Sequence, residues 1–296
     1  FCFSIASSCC CFRMLSSILM FIEANISARW PRCLFFRLFL LALLSFLPSL
    51  SLRGAEPGDA ITNLPATADL RPMFQKWGLP LRSQGGRGTC SVFALTGALE
   101  YALANRQQTG TVLSVEFLNW ASNRATTNSG DGGFFSDLWS GYENYGICPE
   151  TSLPYSKSYD AKLIPNAATL EQAKKIAGAN LQLHWIKPWN AATGLTEEQF
   201  LQIKRTLARG WPVCGGFRWP KHEVWQNDIL QMTPASDVFD GHSVLLVGFK
   251  DDASQPGGGV FLIRNSGGGT QDGALPYEYV RAYMNDGAWV QPASEM

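Results

Sequence analysis

Histidine is scarce in this chain: three occur among 296 residues, and only 16% of the side chains carry charge. Neither sign of charge is in excess, with 24 basic and 24 acidic groups. The first 55 residues hold five Arg and one Glu, so the remainder has 19 basic and 23 acidic groups, a net charge of −4. Nucleic-acid binding calls for a basic face, and that excess is missing. Long apolar runs are also missing. The stretch Leu38–Leu47, apolar but for Ser45, is shorter than the ~20 residues of a bilayer-spanning helix. Five of the eight cysteines (Cys2, Cys9, Cys10, Cys11 and Cys33) lie before residue 56. The other three, Cys90, Cys148 and Cys214, have no metal-ligand spacing, so neither a metal nor another cofactor is expected. At 46% hydrophobic, the composition is that of a globular protein rather than a disordered one. No internal repeat is visible.

Residues 1–55 read differently from the rest. Arg29, Arg32 and Arg37 flank or enter the Leu/Phe-rich run Cys33–Leu50, and small residues follow at Gly54–Ala55. That pattern predicts an export signal, with an uncleaved N-terminal anchor as the alternative. The chain opens on Phe1, and Met14 and Met20 are candidate starts, which would make residues 1–13 upstream translation. An exported protein with an odd number of cysteines points to a reactive thiol. Cys148 and Cys214 are read as buried free thiols, the alternative being a bridge between lobes.

Beyond the leader, residues 56–75 are expected to form an irregular arm and 76–296 a domain. Val92, Phe93, Leu95, Leu99 and Leu103 recur at helical spacing, closed by Gly110. Ser114 opens a second helix, 122–133 reads as a loop, and Phe134–Tyr145 as a third helix. Two S/T-x-x-E/Q signatures predict helix starts at Thr169 and Thr196. Strands are expected at Leu181–Ile186, Val213–Phe217, Ser243–Phe249, Val260–Arg264 and Tyr277–Tyr283. A helical half (about 76–165) followed by a mostly antiparallel β half (about 166–296) predicts a two-lobed α+β fold.

Cys90 stands at the start of the first helix, after Ser83-Gln84-Gly85-Gly86-Arg87-Gly88-Thr89. A helix N-terminus favours thiolate over thiol. The bland alternative is a small core residue. A thiolate nucleophile needs a base. His184 falls in an alternating strand and His222 in a loop, whereas His242 follows Asp240-Gly241 at a strand start, placed to face a cleft. Asn265 closes the next strand, where its oxygen can hold the ring of His242.

Together these residues resemble the papain-like cysteine peptidases. Gln84 lies six residues before Cys90. Gly241-His242 opens a strand much later, and Arg264-Asn265-Ser266 follows the next. Leu113-Ser114-Val115-Glu116-Phe117-Leu118 is similar to that family's second-helix motif, and Tyr145-Gly146…Glu150…Leu153-Pro154-Tyr155 to the stretch after its third helix. Gly132-Gly133 resembles the glycine pair whose backbone holds an extended peptide, although a plain turn is an equal reading.

The resemblance implies that Cys90 is the nucleophile, His242 its base and then acid, Asn265 the orienter, and Gln84 an oxyanion donor. It implies hydrolysis of peptide or protein substrates through a thioester by an exported monomer, with membrane contact only if the leader stays attached. A peptide-binding module and a thiol amidase or transferase on the same fold are the rival readings. Three departures stand out. Ser91 and Gly267 occupy positions where the family carries Trp, so the His242–Asn265 bond is expected to be more solvated unless another Trp covers it. Arg87 stands where many members have a disulfide cysteine. The aromatic set Trp211, Phe217, Trp219 and Trp225 reads as core.

Overall fold

The computed structural model describes residues 64–267 and 272–293, with Asp240 described by its backbone alone. The leader at 1–55 lies outside the described residues.

The chain enters as a short strand, β1 (Thr67–Asp69), followed by helix α1 (Arg71–Lys76), which has Pro72 at its start. An irregular arm was expected here. Phe74 and Trp77 explain the difference, because both are buried and pack their rings against Tyr101. Three helices follow: α2 (Cys90–Gln107), α3 (Val115–Thr126) and α4 (Phe135–Tyr145). The Ser114 hydroxyl accepts the Phe117 N–H and caps α3, as its motif predicts. That helix runs on through Thr126, into the polar stretch expected to be loop.

Helix α2 is buried on nearly every side. One face carries Leu95, Leu99 and Leu103. The others carry Ala94, Gly97, Ala98, Ala102 and Ala104, small residues that let the sheet come close. A Cβ at Gly97 would lie 3.1 Å from the Leu245 side chain.

Helix α5 (Ala167–Ala177) is capped by Asn166, three residues before the cap predicted at Thr169. The Asn166 side chain takes the Thr169 N–H, a cap that outcompetes the hydroxyl of Thr169 itself. Ala173 of α5 packs with Phe117, Ala121 and Cys148, so the helical half runs past the boundary read near 165. After strand β2 (Leu181–Lys187) comes α6 (Glu197–Ala208), which starts with the predicted reciprocal cap between Thr196 and Gln199.

The remaining elements are β3 (Val213–Pro220), β4 (Trp225–Gln226), β5 (Ile229–Leu230), β6 (Val238–Asp251), β7 (Gly259–Arg264), β8 (Asp272–Pro276), helix α7 (Tyr277–Tyr283) and β9 (Met284–Pro292). The strands pair in the order β2-β9-β3-β6-β7-β8-β5-β4, with β1 on β6, and every pairing but β5–β8 is antiparallel. The strand expected at Tyr277–Tyr283 is helix α7. Its aromatic and β-branched residues suit a strand, but Pro276 starts a helix here and Tyr277, Tyr279, Val280 and Tyr283 are all buried against the sheet.

Arg87 joins the loop before α2 to the helical half. It is 5% exposed and donates to Glu116 on α3 (2.5 Å), to Asp131 (2.6 Å) and to the Ser156 carbonyl (2.9 Å). Its guanidinium also lies over the Tyr155 ring, 4.7 Å from the centroid. Where a disulfide would tie two loops covalently, this chain ties them with a buried ion cluster. Removing the cation would leave two carboxylates uncompensated, the costly way to break such a cluster. Arg87→Met is therefore expected to lose about 3–5 kcal/mol of folding stability in denaturant melts.

Candidate active site

Cys90 is the first residue of α2, so its sulfur sits at the helix end where main-chain N–H groups lack intrahelical partners. The Ser91 and Ser243 N–H groups both point to it. Its sulfur lies 3.7 Å from the Gly241 carbonyl oxygen and is hydrogen-bonded to the His242 ring. Burial alone would raise the Cys90 thiol. The hydrogen bond and charge of His242, with the two N–H groups, outweigh it and hold the thiol below its ordinary value. Burial likewise pulls His242 down. Cys90, the Asn265 side chain and the charge of Glu223 together hold it above its ordinary value. Opposite shifts in two touching groups are those of a thiolate–imidazolium pair.

Asn265 fixes the ring. Its Oδ1 lies 2.9 Å from His242 Nε2 and also accepts the Gly267 N–H at 3.1 Å. With Nε2 engaged, Nδ1 is the nitrogen left for the sulfur's proton. Gln84 closes the site from the other side. Its Oε1 accepts the Ser266 hydroxyl at 2.8 Å, and its Nε2 donates one hydrogen to the Arg87 carbonyl at 2.8 Å, leaving the second. Cys90, Gly132, Gly133, Gly241 and His242 line one cleft of about 330 Å3. Gly132 has φ +78°, and a Cβ there would come within 2.5 Å of the Gly88 carbonyl, so only glycine lets the two loops meet. The other histidines stand apart. His184 stacks on Trp289, with centroids 4.6 Å apart, and His222 is exposed.

The His242–Asn265 bond is less solvated than the missing Trp at 267 implied. Asn265 is 2% exposed, and the Trp219 ring lies 4.5 Å from the His242 ring. Register explains this. Phe217 pairs with His242, and Trp219 is two residues along the same strand, hence on the same face. Trp219 Nε1 donates to Glu223 at 2.8 Å, and so does Trp225 Nε1. The sequence pattern marked Trp219 as core. It is buried, but it also covers the histidine, a contact that needs the β3–β6 register to be seen.

A model of the family described as "Papain family cysteine protease" matches residues 64–286, and the chain belongs to that family. It is similar to thiol protease aleurain of Arabidopsis thaliana, at 27% identity over 192 residues, 64% of this chain and 49% of that protein. It is 26% identical to cathepsin K of Gallus gallus over 213 residues, 71% of this chain and 57% of that one. The chain thus spans about half the length of these relatives. Its fold is similar to that of xylellain, a cysteine protease from Xylella fastidiosa, with a TM-score of 0.58, 21% identity, and coverage of 78% of this chain and 87% of that one. The α+β papain-like fold read from the sequence is the fold observed.

Gly267 decides what the absent Trp leaves behind. A Cβ there would lie 3.0 Å from Gln84 Oε1 and 3.2 Å from His242 Cε1. The space is already filled, so Gly267→Trp is expected to overpack and cost about 1–3 kcal/mol in a thermal melt, with no upward move of the alkaline limb of activity.

Proposed function

We propose that the chain is a cysteine peptidase in which Cys90 is the nucleophile, His242 the base and acid, Asn265 the orienter and Gln84 an oxyanion donor. The observation that carries this reading is one geometry: a thiol at a helix start, hydrogen-bonded to a histidine whose other nitrogen is held by an amide oxygen. Family membership agrees with it.

The steps follow from the atoms present. The Cys90 thiolate attacks the carbonyl carbon of a peptide bond, and the oxygen takes the negative charge. The remaining Gln84 Nε2 hydrogen and the Cys90 N–H stabilise that oxyanion. The His242 imidazolium gives its proton to the departing amine, leaving a thioester on Sγ. Water then attacks the thioester, His242 takes its proton, and the acid product leaves as the thiol re-forms its pair. Gly132 and Gly133, on the opposite wall, hold the substrate backbone. The protein acts on peptides or proteins as an exported monomer, with residues 1–55 as the leader. No helix among the described residues is long and apolar enough to cross a membrane.

Two measurements test the assignment. At mildly acidic pH, iodoacetamide is expected to label Cys90 far faster than Cys148, which burial pushes up to about 11, or Cys214, which burial pushes up further. Equal labelling of all three in the folded protein would remove the nucleophile assignment. His242→Ala is expected to lower turnover of a peptide library by several orders of magnitude, with His184→Ala close to wild type. A folded protein that binds the peptides and cleaves none would instead be a binding module.

A further inference from the structure

An amide stabilises a developing oxyanion only if it is already aimed at it. The amide of Gln84 hangs from a loop that includes Gly85 at φ +62°, backbone that needs fixing from outside. The Gln84 N–H donates to the Ser266 carbonyl at 2.8 Å, and the Gln84 carbonyl accepts the Arg87 N–H at a long 3.4 Å. That carbonyl also lies 2.9 Å from the hydroxyl of Tyr155, a residue 71 positions later that the chemistry above does not use.

Counting hydrogens fixes the direction of this contact. A tyrosine hydroxyl has one hydrogen and a carbonyl has none, so Tyr155 donates to Gln84. The Tyr155 oxygen is also 2.6 Å from the Thr89 hydroxyl, which must then donate to Tyr155. Thr89 is fully buried and stands at the N-cap of α2, where a threonine hydroxyl ordinarily accepts an N–H of its own helix. Here it makes no such cap. Its hydroxyl is turned to Tyr155 instead, and the Ser91 N–H that a cap would take points to the Cys90 sulfur.

The phenol is itself held in place. Its ring lies under the Arg87 guanidinium, 4.7 Å from the centroid, and meets Phe93 of α2 edge-on at 5.0 Å. The Tyr155 N–H donates to Glu150 Oε1 at 2.8 Å. Burial pushes the hydroxyl above its ordinary value, so it keeps its proton at neutral pH, as a donor must. One hydroxyl therefore touches both ends of the segment from Gln84 to Thr89. The first end carries the oxyanion-binding amide, and the second is followed by Cys90, whose N–H is the other donor.

We infer that Tyr155 is a positioning residue whose hydroxyl, by tying the Gln84 carbonyl to the Thr89 hydroxyl, aims the Gln84 amide at the oxyanion beside the Cys90 N–H. The inference rests on the peptidase reading above for the roles of those two donors.

The test is a double-mutant cycle in the full chain. Tyr155→Phe keeps the ring against Arg87 and Phe93 and removes one oxygen. It is expected to lower kcat for a cleaved library peptide about tenfold, part of the roughly 10²–10³ that loss of a whole oxyanion donor costs, with KM within about twofold. In the Gln84→Ala background the same change should cost less than about twofold, because the amide it aims is gone. Alkylation of Cys90 by iodoacetamide, read on its alkaline plateau, forms no oxyanion and should keep the wild-type rate. A peptide nitrile runs the cycle without turnover. The Cys90 sulfur adds to the nitrile carbon and the imidazolium proton passes to the nitrogen, which takes the oxyanion's place. Its affinity, read as protection of Cys90 from iodoacetamide, should fall about tenfold in Tyr155→Phe and show the same coupling to Gln84. Equal losses in the wild-type and Gln84→Ala backgrounds, or no loss in either, overturn the inference and leave the hydroxyl a structural tie. If a thermal melt shows that Tyr155→Phe does not fold, Thr89→Val, which removes the hydroxyl donating to Tyr155, is read in the same cycle by the same criterion. A chain that binds the nitrile with this coupling but cleaves no peptide overturns the peptidase reading and leaves the role of Tyr155 standing. A chain that does neither overturns both.

Discussion

The closeness of α2 to β6 is the constraint on which the cleft depends. Cys90 opens α2 and His242 sits on β6, 152 positions later. Their side chains meet only because the helix lies against the strand, and it can do so because Gly97 and its neighbouring alanines present almost no side chain there. A larger residue at 97 would meet Leu245 and separate the two elements. Contact at that depth has an electrostatic consequence. Burial works against charge on both groups, so the ion pair forms through mutual attraction, and each group holds the other in its charged form.

Around that pair the chain uses means of its own. An ion cluster on Arg87 fastens the loop before α2 to the loop carrying Gly132 and Gly133. Trp219 covers the imidazole from β3, and the Glu223 carboxylate, which orients Trp219 through its indole N–H, also favours the charged ring. A single acidic residue therefore serves both packing and charge. Gln84 and Gly267 fill the remaining side, so the site is closed by polar groups and glycine backbone as much as by aromatic rings.

Much of this was legible in the sequence because it is local. Caps at Ser114 and Thr196 are read from side chains within three positions of the N–H groups they satisfy. The α2 period, and the order of Gln84, Cys90, His242 and Asn265, likewise need no tertiary knowledge. The misreadings share an opposite cause. Tyr277–Tyr283 has strand-forming residues, yet it is a helix because its aromatic rings find burial against the sheet. Residues 67–76 look irregular until β6 supplies a pairing partner for β1 and Tyr101 supplies a ring for Phe74. Trp219 on His242 depends on strand register, which no short-range pattern encodes.

The central claim is that Cys90 and His242 stabilise each other's charge. The most direct measurement is an NMR titration of the His242 imidazole nitrogens in the wild-type protein and in Cys90→Ala. The account predicts a wild-type ring that keeps its proton to a pH above the ordinary histidine value. In the variant the midpoint should fall, because burial then acts with only Asn265 and Glu223 opposing it. Superimposable titration curves for the two proteins would contradict it.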